Sequence, residues 1–241
     1  MTDPAGDDRS LPFASVGTSK TLRARAKYGL LAELKSALGD ERVANDQAAL
    51  AAYAYDASLA RSRPELVVFP ETTPDVTAVV KIAGAWGKPV LARGAGTGLS
   101  GGAVPVKGGV VMCLARMNRI IEIDARNRTA LVEPGVVNAD LTAAAEKMGL
   151  YYAPDPSSEK TCTLGGNVAE NSGGAHCLAH GTTTNYVLGA EVVTADGTAC
   201  WLGSAPGDSI GYDLTGVFVG SEGTFGIVTG ILLRLRRRTE A

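Results

Sequence analysis

Residues 93–102 read Arg-Gly-Ala-Gly-Thr-Gly-Leu-Ser-Gly-Gly and directly follow a short apolar run, residues 89–92. Glycines free the backbone N–H groups of side-chain bulk, so successive amides can form a concave site for an anion such as a phosphate. A flexible surface loop has the same composition, and a single glycine pattern is weak evidence for either interpretation. The sequence on both sides of the loop must therefore decide the fold.

The loop also matches the G-x-G-x-x-G pattern of nicotinamide-binding Rossmann folds, through Gly96, Gly98 and Gly101. Asp124 lies near the spacing expected of a ribose-binding acid. In a Rossmann fold, however, the pattern must open a helix. Here the loop continues into residues 103–109, Ala-Val-Pro-Val-Lys-Gly-Gly, which cannot start a helix at the required place. We therefore exclude a nicotinamide-binding Rossmann fold.

The sequence before the loop predicts a strand, a helix and a second strand. Residues 66–69 form a short apolar run that Pro70 closes, and Pro74 suits the first position of a helix capped by Thr73. The apolar residues of this helix recur on one face, and residues 89–92 begin the next strand. This order is a βαβ unit, in which the two strands are parallel.

Two helical segments precede the βαβ unit, at residues 22–38 and near residues 46–54. Residues 1–20 are rich in Gly, Ser, Asp and Pro and show little periodicity, so we expect a disordered leader there. The predicted organisation is a leader over residues 1–20, an N-terminal helical segment over residues 21–60 and one folded domain over residues 61–241.

The sequence after the loop is typical of antiparallel strands. Residues 119–124 and 128–133 each alternate between apolar and polar residues on either side of a short turn. The Asp196-Gly197 pair is a strong signal for a hairpin turn between residues 188–194 and 199–202.

These patterns together predict an α+β fold with two subdomains, a small parallel βαβ subdomain before about residue 115 and a mixed or antiparallel sheet with helices after it. In the second subdomain we expect a helix that is capped by Asn138 and runs to Met148. Residues 226–235 are predicted to form the last strand.

The composition excludes several classes of protein. The 241 residues are 45% hydrophobic and 20% charged, which is typical of a globular chain, and the formal net charge of −2 argues against a nucleic-acid partner. The four cysteines and two histidines lack ligand-like spacing, so we expect no metal site. No run of 18 apolar residues occurs, so we expect no transmembrane segment, and the acidic N-terminus favours a cytoplasmic location.

Two further glycine-rich clusters follow the first loop, at residues 154–174 and 220–226. The earlier one offers backbone amides together with the side-chain amides of Asn167 and Asn171, which suits a ligand that has both phosphates and a heteroaromatic edge. Asn and Gly are also ordinary turn residues, so this cluster alone does not distinguish a binding site from a set of turns. The later cluster by itself indicates only a tight turn into the last strand.

Five segments carry a resemblance to a known family: RGAGTGLSGG at 93–102, PDPSS at 154–158, CTLGGNVAENSGG at 162–174, HGTTTNYVLGAEVVTADG at 180–197 and GSEGTFGIVT at 220–229. Over residues 40–238 the chain resembles the FAD-binding, PCMH-type domain of the vanillyl-alcohol oxidase superfamily. Within it, the chain is similar to the D subunit of glycolate oxidase and to the FAD-linked D-lactate and D-2-hydroxyglutarate dehydrogenases.

The resemblance implies a role for each matching residue. The pyrophosphate of FAD would be held by the first loop, through Gly94, Ala95, Gly96, Thr97, Gly98 and Ser100, with Gly101 beside them. Arg93 would neutralise phosphate charge or form a surface ion pair. The isoalloxazine and ribityl groups would lie along the second cluster, at Pro154, Asp155, Thr163, Gly165, Gly166, Asn167, Asn171, Gly173 and Gly174. The adenosine and ribityl side would be closed by Glu222, Gly226 and Ile227.

Some members of the superfamily attach flavin covalently through His or Cys, and His176 and Cys177 lie beside the second cluster. The relatives named above do not, so we expect FAD to be bound noncovalently.

The implied function is FAD-linked oxidation of a small 2-hydroxy acid of the glycolate or D-lactate class, with hydride transfer to flavin N5. In the resembled enzymes a second domain follows and binds the substrate. We expect this C-terminal substrate or cap domain to be absent here, so no catalytic residue can be assigned. Two alternatives remain: a truncated or split chain that binds FAD but needs a separate C-terminal half or partner subunit, and a phosphate-ligand module without flavin.

Overall fold

The computed structural model describes residues 19–204 and 211–238, with only the backbone for residues 19–28. Residues 1–18 of the predicted leader therefore lie outside the described residues. The helices are α1 Ser19–Leu38, α2 Gln47–Ala52, α3 Thr73–Ala85, α4 Asn138–Glu146, α5 Leu164–Glu170, α6 Cys177–His180 and α7 Leu214–Phe218. The strands are β1 Val43–Ala44, β2 Leu66–Val68, β3 Val90–Arg93, β4 Val110–Cys113, β5 Ile120–Asp124, β6 Thr129–Val132, β7 Leu150–Tyr151, β8 Val187–Val193, β9 Ala199–Gly203, β10 Ile227–Arg234 and β11 Arg236–Arg237.

The first sheet has four strands in the order β1-β2-β4-β3. Strand β4 pairs in parallel with both β2 and β3, and β1 adds an antiparallel edge. Helix α3 connects β2 to β3 and buries the apolar face that the sequence predicts, so the βαβ unit is confirmed. Its predicted cap is off by one residue: Thr72, not Thr73, caps the helix and forms a capping box with Asp75.

The second sheet has five antiparallel strands in the order β5-β6-β10-β8-β9. The hairpins β5-β6 and β8-β9 flank β10, which pairs with β6 on one side and β8 on the other. The predicted division into a parallel and an antiparallel part is thus confirmed, and the fold class is α+β. One face of this sheet packs against α4 and α5 in a single core.

Two helices differ from the sequence prediction. Gly29 interrupts α1 with non-helical angles (φ 70°, ψ 152°), so residues 22–38 do not form one continuous helix. Asn138 does not cap α4, because Val137 is the capping residue. Asn138 is instead 1% exposed and its Nδ2 donates to the carbonyl oxygen of Pro154 at 3.0 Å. A polar side chain that looked like a cap therefore anchors the loop at residue 154.

The two sheets share a core rather than forming independent units. Val193 of β8 and Ile227 of β10 belong to the same apolar cluster as Val110 and Met112 of β4. Glu191 of β8 links the layers as well, since its Oε2 accepts hydrogen bonds from the hydroxyls of Thr73 at 2.8 Å and Thr229 at 2.9 Å. This junction fixes the position of the loops that leave both sheets. None of the described helices is long and apolar enough to cross a membrane.

Candidate functional site

A groove lies between loop 93–102 and helix α5, and its cavity has a volume of about 340 Å³. A narrow extension of about 60 Å³ reaches toward β10 and has a mainly apolar lining that includes Leu114, Val168, Phe218 and Ile227. The predicted site residues that line the groove or its extension are Arg93, Gly94, Ala95, Gly96, Thr97, Gly98, Thr163, Gly165, Gly166, Asn167, Glu222, Gly226 and Ile227. The structure thus brings residues from all three glycine-rich clusters to one place.

Arg93 holds the first loop from inside the protein. Its side chain is largely buried, and the guanidinium donates to the carbonyl oxygens of Tyr55 and Ala103, the latter at 3.3 Å. It also lies over the ring of Tyr53, 5.3 Å from the centroid. A Cβ on Gly96 would lie 2.3 Å from Arg93 Nη2, and Gly96 has a φ of 73° that favours glycine. Arg93 therefore supports the loop backbone and is not a free surface cation.

A buried carboxylate stands beside this arginine. Asp56 is 5% exposed and accepts a hydrogen bond from the backbone N–H of Ser58 at 2.8 Å. Burial opposes ionisation of Asp56, but the hydrogen bonds from Ser58 and the nearby Arg93 charge outweigh it and lower the pKa of this carboxyl. The negative charge of Asp56 compensates the positive charge of Arg93 behind the loop.

The first loop has unused hydrogen-bond donors. None of the backbone N–H groups of residues 95–102 donates a hydrogen bond to any part of the protein that the structure describes. A Cβ on Gly98 would meet only Glu170 Oε1, at 3.8 Å, so the space beside Gly98 is open. Because unpaired backbone donors need an acceptor when water is excluded, this loop suits an anionic ligand.

The second cluster forms helix α5 and packs directly on the first loop. A Cβ on Gly94 would lie 2.0 Å from Thr163 Oγ1, so glycine at 94 lets the two segments touch. Asn167 of α5 is 1% exposed and lines the groove, yet its Nδ2 has no hydrogen-bond partner among the described residues. A buried amide without a partner is costly, and a ligand acceptor in the groove would satisfy it.

The third cluster closes around the C-terminal end of α5. The backbone N–H groups of Gly220 and Glu222 donate to the carbonyl oxygens of Val168 at 2.8 Å and Ala169 at 2.9 Å. Glu222 adopts a φ of 53°, which is unusual for a residue other than glycine. These bonds place Glu222 and Gly226 at the groove.

Several predicted site residues lie outside the groove lining and shape its surroundings instead: Ser100, Gly101, Pro154, Asp155, Asn171, Gly173 and Gly174. Asn171 ends α5 with a left-handed backbone, and its Oδ1 accepts from the N–H of Thr184 at 2.9 Å. Asp155 Oδ2 is 2.5 Å from His176 Nδ1, and the backbone of Gly174 packs against that of Asp155.

The thiol of Cys162 is not prepared to act as a nucleophile. Cys162 lines the groove, and burial raises the pKa of its thiol above the usual value, which the neighbouring Ser158 and Asn167 only partly offset. Cys177 Sγ accepts a hydrogen bond from the backbone N–H of Gly174 at 2.8 Å. Among the described residues no group of three or more His, Cys, Asp or Glu side chains is arranged to hold a metal ion.

Sequence reasoning missed Glu170, Ser157, Ser158 and Gly223, which also line the groove. Both carboxylate oxygens of Glu170 accept from Ser100 Oγ, at 3.0 and 2.9 Å, and so connect the first loop to the end of α5. Ser157 and Ser158 belong to the PDPSS segment, so that motif was a usable signal. The Ser100–Glu170 contact joins residues 70 positions apart and had no local signal.

Comparison with known proteins identifies the fold and the cofactor. The model of the "FAD binding domain" family matches residues 64–203. The chain belongs to this family. The groove agrees with FAD in two respects: unpaired amides for the pyrophosphate and the unpartnered Asn167 amide for a polar edge. The cofactor is therefore FAD.

Three similar curated relatives are longer than this chain. Glycolate oxidase subunit GlcD of Bacillus subtilis (strain 168) is 44% identical over 204 residues, which cover 84% of this chain and 43% of the relative. GlcD of Escherichia coli (strain K12) is 49% identical over 175 residues, covering 73% of this chain and 35% of the relative. D-lactate dehydrogenase of Anaerostipes hadrus is 43% identical over 176 residues, which cover 73% of this chain and 37% of the relative. The chain thus spans less than half the length of these relatives.

Two solved structures also match this chain over less than half of their own length. An alkyldihydroxyacetonephosphate synthase superposes with a TM-score of 0.77 at 26% identity and covers 88% of this chain and 41% of its own. The 4-ethylphenol oxidase from Gulosibacter chungangensis superposes with a TM-score of 0.76 at 28% identity. The match covers 91% of this chain and 43% of the oxidase. The predicted membership of the PCMH-type FAD-binding fold is confirmed.

Proposed function

We propose that this chain holds FAD noncovalently in the groove between loop 93–102 and α5, as the flavin-binding part of an oxidoreductase that acts on small 2-hydroxy acids. The observation that carries the proposal is the run of backbone amides at residues 95–102, which have no protein acceptor among the described residues; residues 95–99 and 102 line the cavity. The names of the relatives, glycolate oxidase subunit and D-lactate dehydrogenase, support the substrate class.

Each part of the groove has a role in this proposal. The amides of residues 94–98 and the hydroxyl of Thr97 bind the pyrophosphate, while Arg93 and Ser100 keep the loop in shape from either side. The second cluster, with Asn167, lies along the ribityl and isoalloxazine groups, and Glu222, Gly226 and Ile227 close the remaining side. When bound, FAD supplies the hydride acceptor, and the protein binds and orients it.

Noncovalent binding is supported by the state of the Cys162 thiol and by the positions of Cys177 and His176. Burial keeps the thiol of Cys162 protonated, so it is not activated for attachment, and neither Cys177 nor His176 lines the groove or its extension. All four cysteines are free, which is usual in a reducing compartment and supports a cytoplasmic location.

We propose further that turnover needs a substrate-binding part that the described residues do not provide, from further chain or a partner subunit. Flavin oxidation of a hydroxy acid requires a clamp for the carboxylate and a group that manages the hydroxyl proton. The lining of the groove contains neither a histidine nor an arginine other than Arg93, and Arg93 is engaged behind the loop.

The first test is reconstitution of the purified chain with FAD. We expect a flavin absorbance band that survives gel filtration and appears in the supernatant after acid precipitation. Flavin left in the pellet would contradict noncovalent binding. Failure to retain flavin, together with retention of inorganic pyrophosphate, would instead favour a phosphate-ligand module without flavin.

The second test is anaerobic mixing of the FAD-loaded chain with excess glycolate or D-lactate while flavin bleaching is followed. We expect no bleaching by the chain alone and bleaching once a separately expressed C-terminal half of a GlcD relative is added. Rapid bleaching by the chain alone would show that no further part is required.

A further inference from the structure

A second groove, with a volume of about 760 Å³, lies away from the flavin groove, and no residue lines both. It forms where the β5-β6 turn, the start of β8 and the end of β10 meet. Four of its lining residues are arginines, Arg128, Arg234, Arg236 and Arg237, and none is acidic. We call it the arginine groove.

The arginines of this groove lack the ion pairs that other arginines of the chain make. Arg119 and Arg238 are paired with Glu133 and Glu146 at 2.7 and 2.8 Å. By contrast, Arg128, Arg234 and Arg237 form no ion pair with any residue that the structure describes, and Arg236 reaches only the hydroxyl of Tyr186, at 3.5 Å. Four uncompensated like charges in one concavity repel each other, so an anion placed between them would be stabilised.

The backbone of the arginine groove is fixed by hydrogen bonds between its three segments. The carbonyl oxygen of Arg128 accepts from the N–H of Leu235 at 2.7 Å, and that of Tyr186 accepts from the N–H of Arg234 at 2.7 Å. The hydroxyl of Tyr186 donates to the carbonyl oxygen of His180 at 2.8 Å. The arginine side chains therefore start from positions that the fold holds together before any ligand arrives.

Two local features point to a ligand rather than to a solvated surface. Arg128 has a φ of 57°, and an arginine held in this conformation is uncommon, since Gly, Asn and Asp tolerate it better. His180 lines the same groove, and its Nδ1 is buried with no hydrogen-bond partner among the described residues. A strained backbone and an unsatisfied polar atom are features that cluster at binding sites.

We propose that the arginine groove binds a small anion that carries two or more carboxylate or phosphate groups. The planar guanidinium forms paired hydrogen bonds with both kinds of group, and arginines on two sides of a concavity match an anion with more than one charged end. The volume is within the range of small-molecule sites. This site is separate from the flavin groove and from the proposed oxidation of a hydroxy acid.

The test is isothermal titration of the FAD-loaded chain with tripolyphosphate and, separately, with citrate at constant ionic strength, with flavin absorbance monitored throughout. We expect saturable binding of at least one of the two with no change in flavin absorbance. Tripolyphosphate binding alone would identify the phosphate class, and citrate binding alone would identify the carboxylate class. Binding of neither, or release of flavin on titration, would overturn the proposal.

Variants locate the site. We expect Arg234→Gln combined with Arg236→Gln to raise the Kd at least tenfold, and Arg128→Asn, which keeps a residue that tolerates positive φ, to raise it about threefold or more. The matched control is Arg63→Gln, an exposed arginine outside the arginine groove, which should leave the Kd unchanged. Equal Kd values for the parent and both groove variants would overturn the proposal, and thermal unfolding of each variant verifies that it is folded.

Discussion

The first loop and helix α5 are both glycine-rich, but their glycines do different things. In the second cluster, a Cβ on Gly165 would lie 2.6 Å from Pro134 Cβ, and one on Gly174 would lie 2.1 Å from the carbonyl oxygen of Asp155. At Gly98 in the first loop, a Cβ would find only one atom within 4 Å. Glycine is therefore required by the protein at Gly165 and Gly174, whereas at Gly98 it leaves the space of the groove open.

The contrast also divides the first loop itself. Gly96 and Gly98 are two residues apart, but Gly96 packs on the Arg93 guanidinium and Gly98 faces the open cavity. A motif that looks uniform in sequence therefore mixes positions that build the groove with positions that leave it empty. Substitutions can tell the two kinds apart, because the first kind should change stability and the second should change affinity for FAD.

The largest effect is expected for Gly174→Ala. The new Cβ would overlap backbone atoms of Asp155, which cannot move without displacing the PDPSS segment. We expect the free energy of unfolding, measured by urea denaturation, to fall by about 3 kcal/mol or more. The control is Gly84→Ala in α3, where a Cβ meets nothing within 4 Å and should stabilise the chain by roughly 0.5–1 kcal/mol. Equal stability of the two variants would remove the distinction.

The next largest effect is expected for Gly98→Val. The side chain fits the free protein but occupies the space of the ligand, so the Kd for FAD should rise more than about tenfold, which corresponds to about 1.4 kcal/mol. The free energy of unfolding of the FAD-free chain should stay within about 0.5 kcal/mol of the parent. Gly96→Val should both raise the Kd for FAD and lower the free energy of unfolding, because its φ is positive and Arg93 blocks the side chain. An unchanged Kd in Gly98→Val would show that the ligand does not approach this loop.

A smaller effect is expected for Asn167→Leu, which removes the unpartnered amide. The FAD-free chain should keep its stability or gain about 1 kcal/mol, while the Kd for FAD should rise roughly fivefold to tenfold, since one hydrogen bond to the ligand is lost. Asn138→Leu is the matched control. Asn138 is equally buried, but its amide already donates to Pro154, so this change should lower stability. The opposite pattern of stabilities would contradict the assignment of Asn167.

The smallest effect is expected for Ser100→Ala. The hydroxyl bonds to Glu170 in an exposed position, and an exposed hydrogen bond contributes on the order of 0.5 kcal/mol. Fluorescence titration should therefore show about a twofold rise in the Kd for FAD and no measurable change in thermal stability. A tenfold rise would mean that the hydroxyl contacts the ligand directly and does not act through Glu170.

The sequence was sufficient to predict the parts of the fold whose signal lies within a few neighbouring residues. The apolar face of α3, the Asp196-Gly197 turn and the alternation on β5 and β6 are periodic or paired within a few residues, so the strands and their grouping into two sheets could be predicted. The composition of the glycine-rich loop likewise predicted exposed backbone amides, and its use as an anion site stays a prediction.

The sequence was not sufficient to predict the role of a residue that contacts a partner far away along the chain. Asn138 is of a residue type that often caps helices, but its side chain is buried and donates to the carbonyl oxygen of Pro154. Arg93 was expected at the phosphates or at the surface, yet its side chain bonds to backbone carbonyl oxygens that lie 38 and 10 residues away. The arginines at the end of the chain were visible as a cluster, but their meeting with Arg128 and His180 depends on how β10 pairs with its neighbours.

The position of β10 has a consequence for how the chain is made. All strands of the four-stranded sheet have been synthesised once Cys113 leaves the ribosome, but the five-stranded sheet lacks its middle strand until Arg234 emerges. Translation proceeds at about 5–20 residues per second. Until β10 is synthesised, the hairpins β5-β6 and β8-β9 have unpaired edges, and such edges can pair with other chains. A pause in translation shortly before residue 227 would therefore promote aggregation more than an equal pause just after residue 113.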